Sequence, residues 1–375
     1  MARRRVVIVD VMHLAYRAAF GGMPPLSVVR NYNGQSVQVS TTIPTYIVKR
    51  IWEWSKGGSN PTVVCFDSPN GSDARKSYFQ MLFGADRKEG VAYKSGRKKE
   101  NDLFYTGCNL TMDILYQGGV SCVQGQNYEA DDLIKASVDM AKVQFPDLPI
   151  HIITGDADLV PLVDEQVSVF LSSKKATYAV EEDEKIRNYV QITPDNYQGY
   201  IESLTSFKNL YVPYNTVLLA KLLRGDKSDA IPGYPKFTPT KYRDLVFSMQ
   251  CDGVDIANIC RYGNPVEEIV YKATGVAVPE QLRCSTPVEQ MTRKYTEPKE
   301  LTELCNVLSN YLTDENIIKH VRDIYNGINL NTAFMSVPNG QMRRPARLSF
   351  DIQGYDGDKL RISASEYKIQ LSKKY

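Results

Sequence analysis

The sequence predicts an α/β fold built around a parallel sheet, and three observations carry that prediction. Short, unbroken runs of apolar and β-branched residues recur at 5–10, 63–67, 120–123 and 150–156. Runs of this length without polar alternation suit strands buried on both faces, the condition of a parallel sheet covered by helices. A helical period separates the third run from the fourth, and alternation of the two patterns is the mark of an α/β fold. Three of the runs end on an aspartate, Asp10, Asp67 and Asp156. Open parallel sheets present ligand groups just beyond the carboxyl ends of their strands.

The first run, Val6-Val7-Ile8-Val9, closes at Asp10, and His13 is expected to pack in the helix that follows. The second, Val63-Val64-Cys65-Phe66, closes at Asp67, and the third is Val120-Ser121-Cys122-Val123. A helix is predicted over 129–144, because Ala130, Leu133, Ile134, Val138 and Ala141 fall on one face. The fourth run, Ile150 to Thr154, leads into Gly155-Asp156-Ala157-Asp158. From about residue 190 helices and loops replace the strand pattern. Residues 216–224 read as helix, and 231–239, with Pro232, Gly233, Pro235 and Pro239, as a tight connection. Residues 299–312 read as a helix sending Leu301, Leu304, Leu308 and Leu312 to a core, and the next helix would be capped by Thr313 and ended by Gly327. Beyond 340, Leu348, Phe350 and Ile352 alternate, as do Leu360 and Ile362, then Tyr367, Ile369 and Leu371. With Asp356-Gly357 suited to a hairpin turn, this tail reads as strands. The expected organisation is a core at 1–190, a helical region at 191–338 and a strand-like extension at 339–375.

Composition narrows the functional classes. The 375 residues suffice for one large or two modest domains, and 43% hydrophobic with 23% charged residues is ordinary for a globular chain. The apolar stretch after Arg3-Arg4-Arg5 stops too early for a secretory signal, and no run has the length of a membrane span, so no membrane association is expected. The 7 Cys are odd in number and contain no Cys-x-x-Cys pair; with only 3 His they disfavour zinc and point to free thiols in a reducing, cytoplasmic setting. Lys plus Arg number 45 and Asp plus Glu 43, a net charge of +2, which excludes a dominant acidic tail.

That balance conceals two opposed concentrations of charge. In 74–99, Arg75, Lys76, Arg87, Lys88, Lys94, Arg97, Lys98 and Lys99 are opposed only by Asp86 and Glu89, with Tyr78, Phe79, Phe83 and Tyr93 interleaved. Such a run is either a solvated loop or a nucleic-acid contact, with cations on phosphates and rings on bases. The acids gather elsewhere: Asp10 and Asp67 at strand ends, Glu129, Asp131 and Asp132 at a helix start, Asp156 and Asp158 after a buried strand, and Asp226 and Asp229 in Gly225-Asp-Lys-Ser-Asp. Helix-start acids and turn-forming Asp residues occur without function, but nine acids converging on one site could not all stay ionised without cations. All-oxygen donors without His or Cys favour Mg²⁺ or Mn²⁺. Removing nine negative charges from a net charge of +2 leaves +11 on the rest of the chain, which suits a phosphodiester substrate.

These motifs resemble the flap endonucleases and 5′→3′ exonucleases of the PIN-like nuclease fold, in particular the free-standing phage enzymes and the 5′-nuclease domain of bacterial DNA polymerase I. The resemblance runs over about 5–335 through Val-Ile-Val-Asp10 with Arg17, Phe66-Asp67, Tyr93-Lys-Ser-Gly-Arg97, Tyr128-Glu-Ala-Asp-Asp132, Thr154-Gly-Asp-Ala-Asp158 and Gly225-Asp-Lys-Ser-Asp-Ala-Ile-Pro-Gly233. It implies a first metal at Asp10, Asp67, Glu129, Asp131 and Asp132, and a second completed by Asp156, Asp158, Asp226 and Asp229. It implies a helical arch at about 70–100, with Lys94 reaching the scissile phosphate beside Arg97, Tyr93 stacking on the displaced base and Arg17 on a nearby phosphate. Arg75, Lys76, Arg87, Lys88, Lys98 and Lys99 would add DNA contacts. The chain departs from the family pattern at Val11, where Gly is usual, at Ala157, where Lys is common, and at Lys236-Phe237-Thr238, where the family places Gly-x-Gly to hold a phosphate and a monovalent cation. Lys236 and Lys241 would then substitute as charge contacts.

The activity so implied is hydrolysis of DNA by two Mg²⁺ or Mn²⁺ ions, at 5′ flaps, nicks or free 5′ ends, in replication or repair. RNA primers in RNA–DNA hybrids are an alternative substrate, a structure-specific DNA-binding protein without catalysis an alternative class, and a replication protein docked on the tail an alternative role for 339–375. An Asp-nucleophile phosphatase is disfavoured because position 12, where that chemistry needs a second Asp, is Met12.

Overall fold

The computed structural model describes residues 4–68, 71–73, 75–76, 102–125, 128–172, 189–197, 217–225, 231–256, 299–332, 352 and 354–372. The chain divides into two compact units. The first comprises 1–71, 98–193 and 337–375, and the second 72–97 and 194–336.

The first unit holds a six-stranded sheet, a separate two-stranded sheet and their helices. In chain order these are β1 (Val6–Asp10), α1 (Val11–Phe20), β2 (Ser27–Tyr32), β3 (Gln35–Ser40), α2 (Thr42–Trp54), β4 (Thr62–Phe66), α3 (Asp102–Gln117), β5 (Ser121–Gln124), α4 (Ala130–Gln144), β6 (Ile150–Thr154), β7 (Val167–Ser172) and β8 (Tyr189–Ile192). The strand order is β5-β4-β1-β6-β7-β8. All neighbours are parallel except the edge pair β7–β8. The α/β class predicted from the apolar runs is therefore the class adopted, and all four runs are strands. Every residue of β1, β4 and β6 is buried, which is why these strands read as unbroken apolar runs.

From β1 the chain builds outward through β4 to β5, then returns to the other side of β1 as β6. The order of construction reverses at β1, and crevices at such switch points lie beyond the carboxyl ends of the strands. Asp10 closes β1 at that position. Its side chain accepts the Met12 amide at 3.0 Å and so caps α1, which buries Val11, Leu14, Ala15 and Ala18 against the sheet.

Strands β2, β3, β7 and β8 were not foreseen. The antiparallel pair β2–β3 turns at Asn33 and Gly34, both at positive φ (52° and 83°). Asn-Gly is the strongest short hairpin signal, but the flanking residues are largely exposed, and their one alternation, Val37 and Val39, is too short to accompany it.

The second unit contains α5 (Val217–Arg224), α6 (Pro239–Cys251), α7 (Lys299–Ser309) and α8 (Glu315–Thr332). Leu301, Leu304 and Leu308 are buried as the spacing predicts, but α7 ends at Ser309 and Leu312, beyond it, is only partly buried. The start of α8 differs from expectation. Asp314, not Thr313, accepts the Asn316 amide at 3.0 Å, and the helix continues through Gly327 to Thr332. Between α5 and α6, Gly225 (φ 73°) and Gly233 approach so closely that a Cβ on Gly225 would stand 2.3 Å from the Gly233 nitrogen. No other residue fits that contact.

The tail overturns the strand expectation within the described residues. Gly357–Ser365 is a helix, α9, belonging to the first unit. Asp356 does not make a hairpin turn; its carboxylate accepts the Asp358 and Lys359 amides at 2.9 and 3.4 Å and caps the helix. Leu360 and Ala364 are fully buried while Ile362 is 66% exposed, the pattern of residues four and two apart on a helix. Tyr355 bonds Ser55 side chain to side chain at 2.5 Å, Ser363 Oγ donates to the Ile114 carbonyl at 2.9 Å, and Arg361 lies over the Trp52 ring at 4.9 Å. Leu348 and Phe350 lie outside the described residues.

Candidate active site at the carboxyl end of the sheet

The strand-end acids are placed by the sheet register. β1 pairs β4 with Asp10 opposite Cys65, and pairs β6 with Val9 opposite Ile153. Asp67, immediately after β4, and Thr154, at the end of β6, therefore flank Asp10 at one end of the sheet. Helix α4 is fixed to the same end, because the Ala130 amide donates to Asp67 Oδ1 at 2.6 Å. The start of α4 is organised by its own acids: the Glu129 amide donates to Asp132 Oδ2 at 3.1 Å within a reciprocal capping box. Three acids here also meet the positive end of the helix dipole. On the β6 side, Asp156 Oδ1 accepts the Asp158 amide at 2.9 Å and caps the short 3₁₀ turn Ala157–Leu162.

Seven of the nine predicted acids, Asp10, Asp67, Glu129, Asp131, Asp132, Asp156 and Asp158, thus belong to the carboxyl end of the sheet. Asp226 and Asp229 lie outside the described residues, as do Arg87, Lys88, Tyr93, Lys94, Arg97, Lys98 and Lys99. Among the described residues, no three His, Cys, Asp or Glu side chains form a ready-made metal cage. The donor chemistry nevertheless fits a hard divalent cation, since seven carboxylates gather here and, among the described residues, His13 is the one imidazole beside them. Mg²⁺ keeps several waters and binds through one or two carboxylates with substrate phosphates, so it does not require an all-protein cage.

Asp10 is the electrostatic centre of this end. It is 5% exposed. Burial pushes its carboxyl up, but the adjoining His13, the Thr154 hydroxyl and the Met12 amide outweigh burial and hold it below the ordinary carboxylate value. His13 Nδ1 stands 3.7 Å from Asp10 Oδ2, an ion-pair separation rather than a hydrogen bond. The other ring nitrogen, Nε2, bonds the Tyr189 hydroxyl at 2.7 Å. Gly155 is required beside His13, since a Cβ there would come within 2.8 Å of the His13 Cβ. The nearby thiol is inert: burial pushes Cys65 up, and the charges of Asp10 and Asp131 push it the same way.

Arg17 is half-buried, donating to Ser172 Oγ at 3.1 Å and lying over the Tyr189 ring at 5.4 Å. In the second unit the predicted DNA contacts separate. Arg75 is 2% exposed and presents no surface cation, so its inclusion among the backbone contacts is corrected. Lys76 is exposed and pairs with Asp73 at 3.1 Å. Lys236 and Lys241 are exposed, and Lys236 occupies the left-handed region at φ 61°. The expected hairpin keeps a turn without its glycines: Phe237 is buried, its carbonyl accepts Arg224 Nη1 at 2.5 Å, and Thr238 caps α6.

Residue-by-residue reading missed the supports of Asp10, namely His13, Thr154 and Tyr189. Thr154, a polar residue closing a buried run, was the one with a signal. No helix among the described residues is long and apolar enough to cross a membrane.

Residues 5–190 match the family model described as 5′-3′ exonuclease, N-terminal resolvase-like domain. The chain is similar to DNA polymerase I of Lactococcus lactis subsp. cremoris, 26% identical over 237 residues, covering 62% of this chain and 23% of the polymerase. It is also similar to DNA polymerase I of Caldicellulosiruptor bescii, 28% identical over 229 residues, covering 61% and 22%. The chain thus spans less than a quarter of these relatives. Among solved structures it is similar to the bacteriophage T5 flap endonuclease in complex with DNA and metal ions, with TM-score 0.46 and 14% identity over 88% of this chain and 90% of that one. Human GEN1 bound to Holliday junction DNA gives TM-score 0.47 and 10% identity over 98% and 69%.

Proposed function

Residues 5–190 belong to the 5′-3′ exonuclease N-terminal, resolvase-like family, and from that premise we propose that the chain is a metal-dependent 5′-nuclease. It hydrolyses phosphodiester bonds of DNA at 5′ flaps, nicks or free 5′ ends. The observation that supports this most is Asp10: a buried carboxylate, held ionised at the switch point of a parallel sheet, with further strand-end and helix-start acids around it.

Asp10, Asp67, Glu129, Asp131, Asp132, Asp156 and Asp158 would hold the ions, and the family resemblance adds Asp226 and Asp229. When bound, a pair of Mg²⁺ or Mn²⁺ ions supplies an activated water and neutralises charge developing on the phosphoryl oxygens. The protein's own part is positional. Backbone amides fix Asp10, Asp67 and Asp156 through one carboxylate oxygen each, so the acids need little reorganisation on binding. Attack by water requires no Ser, Cys or His nucleophile, and the buried Cys65 thiol offers none. Lys94 is assigned to the scissile phosphate, with Arg97 beside it on the arch, Tyr93 to the displaced base and Arg17 to a nearby phosphate. The products are a 5′-phosphate and a 3′-hydroxyl.

A panel of 5′-flap, nicked-duplex and RNA–DNA hybrid substrates, with Mg²⁺, Mn²⁺ or chelator, tests the assignment and decides whether RNA primers are cut. Asp131→Ala and Asp156→Ala should each abolish cleavage while leaving DNA binding largely intact. Undiminished Mg²⁺-dependent cleavage by both variants would end it.

A further inference from the structure

One polar group at this end of the sheet has no part in the scheme above. Thr154, the last residue of β6, is fully buried. Its hydroxyl accepts the Asp156 amide at 2.9 Å and donates to Asp10 Oδ2 at 2.8 Å. Chemistry fixes the direction of both bonds. An amide only donates, so the hydroxyl oxygen accepts there, and its single proton is left for the carboxylate. An isosteric side chain without oxygen can make neither bond.

Two acids depend on this one hydroxyl. Asp10 is gripped at both oxygens, by the Met12 amide of its own helix at 3.0 Å and by Thr154 of the adjacent strand. Asp156 is gripped through its backbone, which sets the turn that its own carboxylate caps. Thr154 is thus a physical link between acids of two sequence motifs, made across the β1–β6 seam where the order of construction reverses.

We propose that Thr154 is a positioning residue that fixes Asp10 and Asp156 relative to one another and thereby sets the affinity for divalent cation. This rests on the nuclease reading. Supporting partners of ligating carboxylates govern metal affinity, and their loss typically costs about 10- to 100-fold.

The test is Mn²⁺ binding to the full chain without DNA, followed by electron paramagnetic resonance of free Mn²⁺, with thermal unfolding recorded in parallel. Thr154→Val keeps the shape and removes the oxygen. It should raise the Mn²⁺ dissociation constant about tenfold or more. Thr154→Ser restores the oxygen and should bring affinity back near that of the wild type, a recovery that a purely steric role would not produce. Should Thr154→Val unfold, because it buries an unpaired Asp156 amide, Thr154→Ala leaves room for a water and repeats the comparison. Wild-type affinity in the folded variant without hydroxyl overturns the proposal, as does equal loss in Thr154→Ser and Thr154→Val. A wild type that binds no Mn²⁺ overturns the nuclease reading together with this inference, whereas a wild type that binds and a hydroxyl-free variant that matches it overturns the inference alone.

Discussion

Asp10 serves two ends with one carboxylate: it caps α1 through Met12, and it is the buried acid of the candidate site. Its position was legible in the sequence, because an acid closing an apolar run is a break in pattern that needs no knowledge of the partners. Its supports were not legible, because Thr154 is 144 residues away and Tyr189 lies 176 residues from His13. Periodicity reports burial, not pairing. Asp164 allows a test at this scale that avoids the site. Burial pushes its carboxyl up, but Lys142 and the Gln166 and Val167 amides outweigh burial and hold it below the ordinary value of 3.8. A carboxyl depressed on folding stabilises the native state above its unfolded value, and that contribution is lost as pH falls through the folded one. Asp164→Asn should therefore lower the melting temperature at pH 7, with the gap closing as pH falls below about 4. A gap independent of pH would show that ionisation of Asp164 does not contribute to the effect.

Elements were legible wherever period and burial agreed. The central strands are buried along their whole length, and α4 carries its apolar face at helical spacing, so both emerge from the order of apolar residues. The tail failed because alternation over two or three residues is too short to separate a strand from one face of a helix. Leu360 and Ile362 look alike in sequence, but the capping Asp356 turns one inward and the other out. That difference is measurable. Leu360→Ala should cost about 3 kcal/mol, since it empties a packed site beneath α9, where a Cβ on Gly118 would already stand 2.4 Å from the leucine. Ile362→Ala, at an exposed position, should stay within about 0.5 kcal/mol. Urea unfolding of both variants decides: similar costs would mean that 357–365 does not present these faces. Arg30 extends the same packing to the β2–β3 hairpin, donating to the Glu366 carbonyl at 2.8 Å and lying over the Tyr367 ring at 4.6 Å.

For the molecule as a whole, the net charge of +2 is a sum that hides its parts. If nine acids share one site, the remainder of the chain carries +11, and the field felt by DNA depends on whether those acids are neutralised. Divalent cations would then act twice, once in the chemistry and once by removing the repulsion between an anionic site and an anionic strand. The second effect is separable from the first on a flap DNA whose junction carries phosphorothioate linkages that resist cleavage. Chelation should weaken binding of this DNA severalfold, and most at low salt, where screening is least. Restoring Mg²⁺ should recover the affinity. Asp131→Asn, with one anion fewer, should bind better than the wild type in chelator. An affinity unmoved by chelation at any salt concentration would place the DNA away from the acids.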